Sequence, residues 1–399
     1  MNEYRVTDHG VTAGVEELQT KEFQSVLDLC KENGGKVIVP RGEYRVAALR
    51  MWSDTTLYLE SGAKIIGSDE CDDYEVFEFP EGMVSHSDME MIPEYYRNKP
   101  WRSYRRAIIS VYGGKNVAII GEPGSFIDGS DCFDPDGEEG YRGPHGIYIT
   151  NVENLVLKGY TIENCGNFEH QIDTCRHITA KGVTCLGGSD GFHLHCCNDI
   201  LIEDCVFHTG DDCIGGINMT NMILRRCEFN TSCDVFRAGG QHILVEDCRV
   251  FGPGIYPHTV SIMKELGIVG TPAVKDKSKL PERKAGRHNL ICVWVHFASK
   301  DQPDKSPSED IVFRNCTFEN IDKFLVHRAD FTTIDTCAYL TDMRLENITA
   351  RGVLTQSVVS ASAEHPLTVT MKNVSAYGRD GKPIELFSEE SPNLTVAIE

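Results

Sequence analysis

The chain is short of positive charge: 39 Lys+Arg stand against 60 Asp+Glu in 399 residues, a formal net charge of −21. Phosphate attraction needs a broad basic face, so neither nucleic acid nor an anionic membrane surface is expected as a partner. Long hydrophobic runs are missing too. No stretch approaches the roughly 20 apolar residues of a membrane span, and Met1-Asn-Glu-Tyr-Arg-Val6 leads into polar residues with no apolar signal core. Disorder is not expected either, since 41% hydrophobic and 25% charged residues are ordinary for a globular chain. Cysteine, by contrast, is plentiful at 16 residues. Without a signal core, the expectation is a soluble cytoplasmic protein with reduced thiols, and the number of thiols needs another cause.

The cysteines mark a repeat. Asp199-Ile-Leu-Ile-Glu-Asp-Cys205, Asn221-Met-Ile-Leu-Arg-Arg-Cys227, His242-Ile-Leu-Val-Glu-Asp-Cys248 and Asp310-Ile-Val-Phe-Arg-Asn-Cys316 each carry an apolar anchor and, five residues on, a cysteine. Weaker copies pair Leu155 with Tyr160, Ile178 with Val183, Met343 with Ile348 and Val369 with Val374. The anchors Leu155, Ile178, Ile200, Met222 and Ile243 are 23, 22, 22 and 21 residues apart, a solenoid period. Each repeat alternates, is rich in β-branched residues and is broken by Asn, Gly and Asp. None holds the ten or more residues of helical periodicity that a helical array requires. The pattern predicts an all-β fold, a single-stranded right-handed parallel β-helix whose coils stack about 4.8 Å apart, with the cysteines as a buried ladder.

An open β-helix end exposes unpaired edges, so a cap is expected at residues 1–35. Phe23, Val26, Leu27 and Cys30 fall on one helical face, with Thr20 as N-cap and Gly34 as terminator. Strands follow at Lys36–Pro40 and Thr56–Glu60. Two insertions, at about 77–106 (Tyr, Trp and Arg) and 252–288 (Pro, Lys and Gly), interrupt the spacing and are expected to border a groove. No linker divides the chain, so residues 1–399 read as one domain.

The turns carry the chemistry. Gly188-Ser-Asp-Gly191, Gly210-Asp-Asp-Cys213 and Ser232-Cys-Asp-Val235 place Asp190, Asp212 and Asp234 at successive 22-residue steps, with Asp211 alongside. Carboxylates stacked at about 5 Å repel one another and raise at least one pKa. Stability alone gives no reason for such a stack, whereas acid–base catalysis needs one carboxyl protonated and its neighbour ionised, as across a glycosidic bond. The competing reading is an Asp turn ladder whose side chains accept backbone N–H bonds.

The chain resembles the polygalacturonases of glycoside hydrolase family 28. Asn33-Gly-Gly-Lys-Val-Ile-Val-Pro-Arg-Gly-Glu-Tyr44, Leu57–Ala63 and Ile66–Ser68 are similar to that family's entry into the β-helix. Gly188–Gly191 is similar to its N-T-D motif, with Ser in place of Thr, and Gly210–Cys213 matches G-D-D-C in full. The resemblance implies inverting, cofactor-free hydrolysis of α-linked galacturonides, with Asp211 as acid and Asp190 and Asp212 activating water. Two motifs are replaced. Where G-H-G is expected the coil reads Cys233-Asp-Val-Phe-Arg-Ala-Gly-Gly240, and where R-I-K is expected it reads Phe251-Gly-Pro-Gly-Ile-Tyr-Pro-His258. Carboxyls one coil apart would otherwise point to the roughly 5 Å spacing of a retaining pair.

Further candidates for substrate binding are Arg237, His193, Asp234, His170 and His258, with Tyr256, His296 and Lys323 as groove residues. Arg237 can grip a carboxylate bidentately or pair with Asp234. His193 stands three residues after Asp190, as Arg237 does after Asp234. A zinc site at His193, His195, Cys196 and Cys197 is set aside because the cysteines belong to the ladder, so no metal is expected. The insertion with Tyr95, Arg97, Lys99, Trp101, Arg102, Tyr104, Arg105 and Arg106 can stack on an anionic sugar or on another subunit. Insertions on both edges favour a pocket closed at one end, hence exo-action on short oligosaccharides. A Ca²⁺-dependent uronate lyase and a non-catalytic carbohydrate-binding solenoid are the alternatives.

Overall fold

The computed structural model describes residues 2–83, 104–279, 291–296, 308–328 and 339–399. They fall into two compact units, Met1–His193 with Thr259–Glu282, and Leu194–His258 with Arg283–Glu399. Both are parallel β-helical. In the first, Val117 pairs with Leu155 and Leu155 with Ile178. In the second, Ile200 pairs with Met222, Met222 with Ile243, Ile243 with Ile311, Ile311 with Met343, and Met343 with Val369. The anchors read from the sequence are therefore in register within each unit. The 68-residue step from Ile243 to Ile311 is absorbed without loss of register.

The strands are short because the chain turns corners at fixed places. Asn116, Asn154, His177, Asp199, Asn221, His242 and Asp310 each precede an anchor and have φ between 54° and 61°. Asp204, Arg226, Asp247 and Asn315, each preceding a ladder cysteine, have φ between 54° and 56°. Asn and Asp tolerate this left-handed region better than other non-glycine residues, and their side chains then bond from coil to coil. Asn154 donates to Asn116 in the first unit; Asn347 donates to Asn315 in the second. Each cysteine after such a corner turns its thiol onto the carbonyl two residues back. The Sγ–O distances are 3.3 Å for Cys205, 3.4 Å for Cys227, 3.1 Å for Cys248 and 3.2 Å for Cys316. The ladder is thus buried, as expected, and also supplies weak S–H donors to backbone carbonyls.

Inside the second unit the core is an aromatic file. Phe207 stacks on Phe229, Phe229 meets Phe236 edge-on, and Phe236 stacks on Trp294 with centroids 5.3 Å apart in each case. Burying each such ring contributes about 1.5–3 kcal/mol, and each aromatic pair about 0.5–1.5 kcal/mol more.

The capping helix spans Thr20–Asp28 and buries Phe23, Val26 and Leu27. Its N-cap is Gln19 rather than Thr20. The Thr20 hydroxyl instead accepts the Ala47 N–H at 2.8 Å, while Gln19 closes two bonds with the Thr12 backbone. Nor does Gly34 end the helix; with φ +66° it closes a later turn onto Cys30. The 252–288 insertion contributes a helix, Thr259–Glu265, which packs Val260 and Met263 against Phe133, Tyr141, Ile268 and Val274 in the first unit. Among the described residues no helix is long and apolar enough to cross a membrane.

Candidate active site

Each unit presents its own acidic group. In the first, the turn after strand Thr184–Gly187 is pinned by its carbonyls: Glu169 N–H donates to Asp190 O, His170 N–H to Gly191 O, and Thr259 N–H to Gly188 O. Asp190 is 2% exposed, and its Oδ2 lies 2.8 Å from His193 Nδ1. The His193 ring is fixed in turn by stacking on Phe168, 4.2 Å away and nearly parallel. Arg142 lies with its guanidinium 4.9 Å from the same Phe168 ring; it also bonds Glu139 at 2.9 Å and Asn167 at 3.3 Å. Burial pushes the Glu138 carboxyl up to about 7, Arg142 opposing the shift and Glu139 and Asp190 adding to it. Sequence reasoning did not pick out Glu138, Glu139 or Arg142. The available signal was a Glu-Glu and an Arg enclosed by Gly137 and Gly143, outside the repeat.

In the second unit the pair Asp211–Asp212 follows strand Val206–Thr209, and the Asp211 carbonyl is held by the hydroxyls of Thr209 and Thr231. Ile214 pairs with Phe236, and Cys213 N–H donates to Asp234 O at 3.0 Å. This register sets Asp212 level with Asp234, as the 22-residue step predicts. Asp211 is 8% exposed and Asp212 3%. His258 brings Nε2 to 3.3 Å from Asp211 Oδ2. Asp211 therefore receives its histidine from the 252–288 insertion. Asp234 is pushed up to about 7, chiefly by burial, with Arg237 opposing and Asp211 adding. Arg237 itself is exposed on strand Asp234–Glu246. Asp211, Asp212 and Cys233 offer atoms within 4.8 Å of one another, as do Glu169, His170 and Cys185 in the first unit; either set could hold a cation by composition.

Several expected binders are placed elsewhere. His170 is a correction: its ring is wholly buried, Nε2 meets Tyr160 Oη at 2.8 Å, Nδ1 meets Gly191 O, and burial depresses it to about 3. It is a neutral core group that cannot reach a substrate. His296 is likewise buried, between Ser308 and His327, and Lys323 pairs with Asp322. Tyr256 contributes its backbone carbonyl to Ser232. His195 is fully buried, and among the described residues the two candidate cation sets contain neither His193 nor His195. Of the aromatic insertion, Tyr104 is buried against Tyr112, Tyr148 and Phe168. Arg105 is buried over Phe79, and the half-buried Arg106 bonds Asp134. Tyr95, Arg97, Lys99, Trp101 and Arg102 lie outside the described residues.

The family model described as Glycosyl hydrolases family 28 matches residues 96–231, about a third of the chain, and that stretch includes Asp190, Asp211 and Asp212. A probable polygalacturonase of Vitis vinifera is 25% identical over 224 residues, 52% of this chain and 43% of that protein, so the match spans less than half of the relative. Among solved structures, the polygalacturonase of Erwinia carotovora superposes with a TM-score of 0.63 at 14% identity, covering 96% of this chain and 95% of its own. The endo-xylogalacturonan hydrolase of Aspergillus tubingensis gives 0.64 at 13% identity, covering 100% and 98%. The chain has a polygalacturonase-like family 28 fold. The family 28 fold is a right-handed parallel β-helix, as the repeat predicts, and the family match falls on the turns that carry the acids rather than on the C-terminal coils.

Proposed function

We propose that the chain is a glycosidase that cleaves an α-linked galacturonide or related pectin-type oligosaccharide, inverting and exo-acting. The observation that carries this is the Asp211–Asp212 pair, adjacent carboxylates nearly closed off from solvent, with a histidine on one of them. Adjacent acids at such a site favour one proton held and one released. Asp211, beside His258, is assigned to protonate the leaving oxygen, and Asp212 to activate water. Asp190 is assigned to the water on its 22-residue spacing from Asp212 and on its motif. Arg237, exposed on the same strand as Asp234, is assigned to a substrate carboxylate.

The test is incubation with oligogalacturonides, following reducing ends and the ultraviolet absorbance of unsaturated products, with and without EDTA. Reducing ends without ultraviolet gain, insensitive to EDTA, support the hydrolase. EDTA-sensitive ultraviolet gain would make it a lyase, and binding without either would make it a carbohydrate-binding solenoid. Product NMR reads the anomer, and product length separates exo from endo action.

A further inference from the structure

The cysteines are not all of one kind. Ladder thiols bond the carbonyl two residues back as well as the next thiol of the ladder, whereas Cys71 and Cys132 form a separate pair, with Sγ atoms 3.3 Å apart and residue exposures of 3% and 1%. Neither belongs to the 22-residue phrase. Cys71 opens the short 3₁₀ turn Cys71–Asp73, and Cys132 lies in the loop after strand Phe126–Asp128. The two segments are tied together independently of sulfur. Arg106 reaches Asp134 at 2.9 Å and Asp72 at 3.5 Å, so one guanidinium pairs with carboxylates one residue after Cys71 and two after Cys132. On the other side, Lys275 bonds Glu70 and Lys277 bonds the Ser130 carbonyl. The neighbouring Cys71 thiol and burial hold Cys132 protonated in the folded chain, and these two ammonium groups oppose that without overcoming it.

We propose that Cys71 and Cys132 form a thiol–disulfide pair that ties the Cys71–Asp73 turn to the loop after strand Phe126–Asp128 in the first unit. The two segments are already apposed, so bonding the sulfurs needs them to close from 3.3 Å to the roughly 2.05 Å of a disulfide. The oxidant is a small-molecule or protein disulfide. One cysteine thiolate attacks it, forming a mixed disulfide and releasing one thiol; the second cysteine attacks the mixed disulfide and releases the other. Two electrons and two protons pass to the oxidant, which leaves as two thiols. Burial of both sulfurs means exchange proceeds during folding or local opening. The ladder cysteines, each also bonded to the carbonyl two residues back in its own coil, stay reduced.

The full chain is refolded from guanidinium chloride in an oxidised/reduced glutathione buffer, unfolded again with iodoacetamide, and peptide-mapped by mass spectrometry. The expected result is one cross-linked peptide joining Cys71 to Cys132, with the remaining cysteines alkylated and a Tm a few degrees above that of the dithiothreitol-treated chain. Cys132→Ser should lose both the cross-link and the difference in Tm between oxidised and reduced samples, while keeping the cooperative melt of the reduced chain. Alkylation of every cysteine in the oxidising buffer, or a cross-link among Cys205, Cys227, Cys248 and Cys316, overturns the proposal.

Discussion

Asp190 and Asp211 each hold a histidine, but they obtain it differently. Asp190 takes His193 from three residues along its own coil, at 2.8 Å. Asp211 takes His258 from 47 residues later, out of an insertion, at 3.3 Å. The first pair is built by the repeat and made rigid by Phe168 beneath the ring. The second depends on the path of the segment that leads from strand Arg249–Phe251 to His258. A carboxylate in the ladder can therefore be tuned from within the repeat or from outside it, and only the first arrangement is fixed by coil geometry.

The largest effect is expected at the acids of the second unit. Asp211→Asn and Asp212→Asn should each lower oligogalacturonide hydrolysis by about 10³-fold, as loss of a general acid or base does. Initial rates of reducing-end release check this. If Asp211→Asn retained wild-type kcat, the pair would be a structural turn ladder and the contrast with Asp190 would lose its meaning.

The histidines come next. Removing a group that orients an acid can cost up to about 10²-fold through small misplacement. His258→Ala should lower kcat by about 10- to 100-fold with little change in Tm, because the residue comes from an insertion and makes no coil register. His193→Ala should lower Tm as well as kcat, because it also removes the ring stacked on Phe168. Equal losses of Tm in both variants would show that insertion and repeat hold their histidines alike.

What the sequence shows of this arrangement follows the repeat. The anchors, the cysteine ladder and the step from Asp212 to Asp234 are all period-22 features, and a period states which residues share a level before any contact is known. Asp190 with His193 is legible for the same reason. His258 stood out as a groove candidate, but its partner Asp211 depends on the path of the insertion, which no period describes. Glu138 and Arg142 were missed because they lie in an irregular stretch between coils. His170 reads as a binder in the sequence because strand alternation does not say which face is interior when histidine, whose neutral ring can bury, stands at an inward position. Thr20 was misplaced by one residue because Gln19 takes the cap while the threonine hydroxyl serves Ala47.

The smallest effect expected concerns two carboxyls outside the catalytic pair, one in each unit. Glu138 and Asp234 are both raised to about 7 by burial, each opposed by one arginine, Arg142 and Arg237 respectively. In the unfolded chain they titrate near 4.5 and 3.8, so at intermediate pH the folded protein keeps protons that the unfolded chain has released. Stability from these groups is therefore fully present below their unfolded values, declines as pH rises towards about 7, and is level above it. Glu138→Gln removes one source of that slope. Its Tm should exceed the wild type's by a few degrees at pH about 8, on the order of 2 kcal/mol, and converge with it near pH about 4.5. Asp234→Asn should flatten the same slope but also alter the pH profile of hydrolysis, because Asp234 acts electrostatically on Asp211 and His258. Melting curves from pH 4 to 8 on both variants read this directly. A Glu138→Gln slope equal to wild type would mean that Arg142 already holds Glu138 ionised, leaving Asp234 as the carboxyl whose burial governs the response.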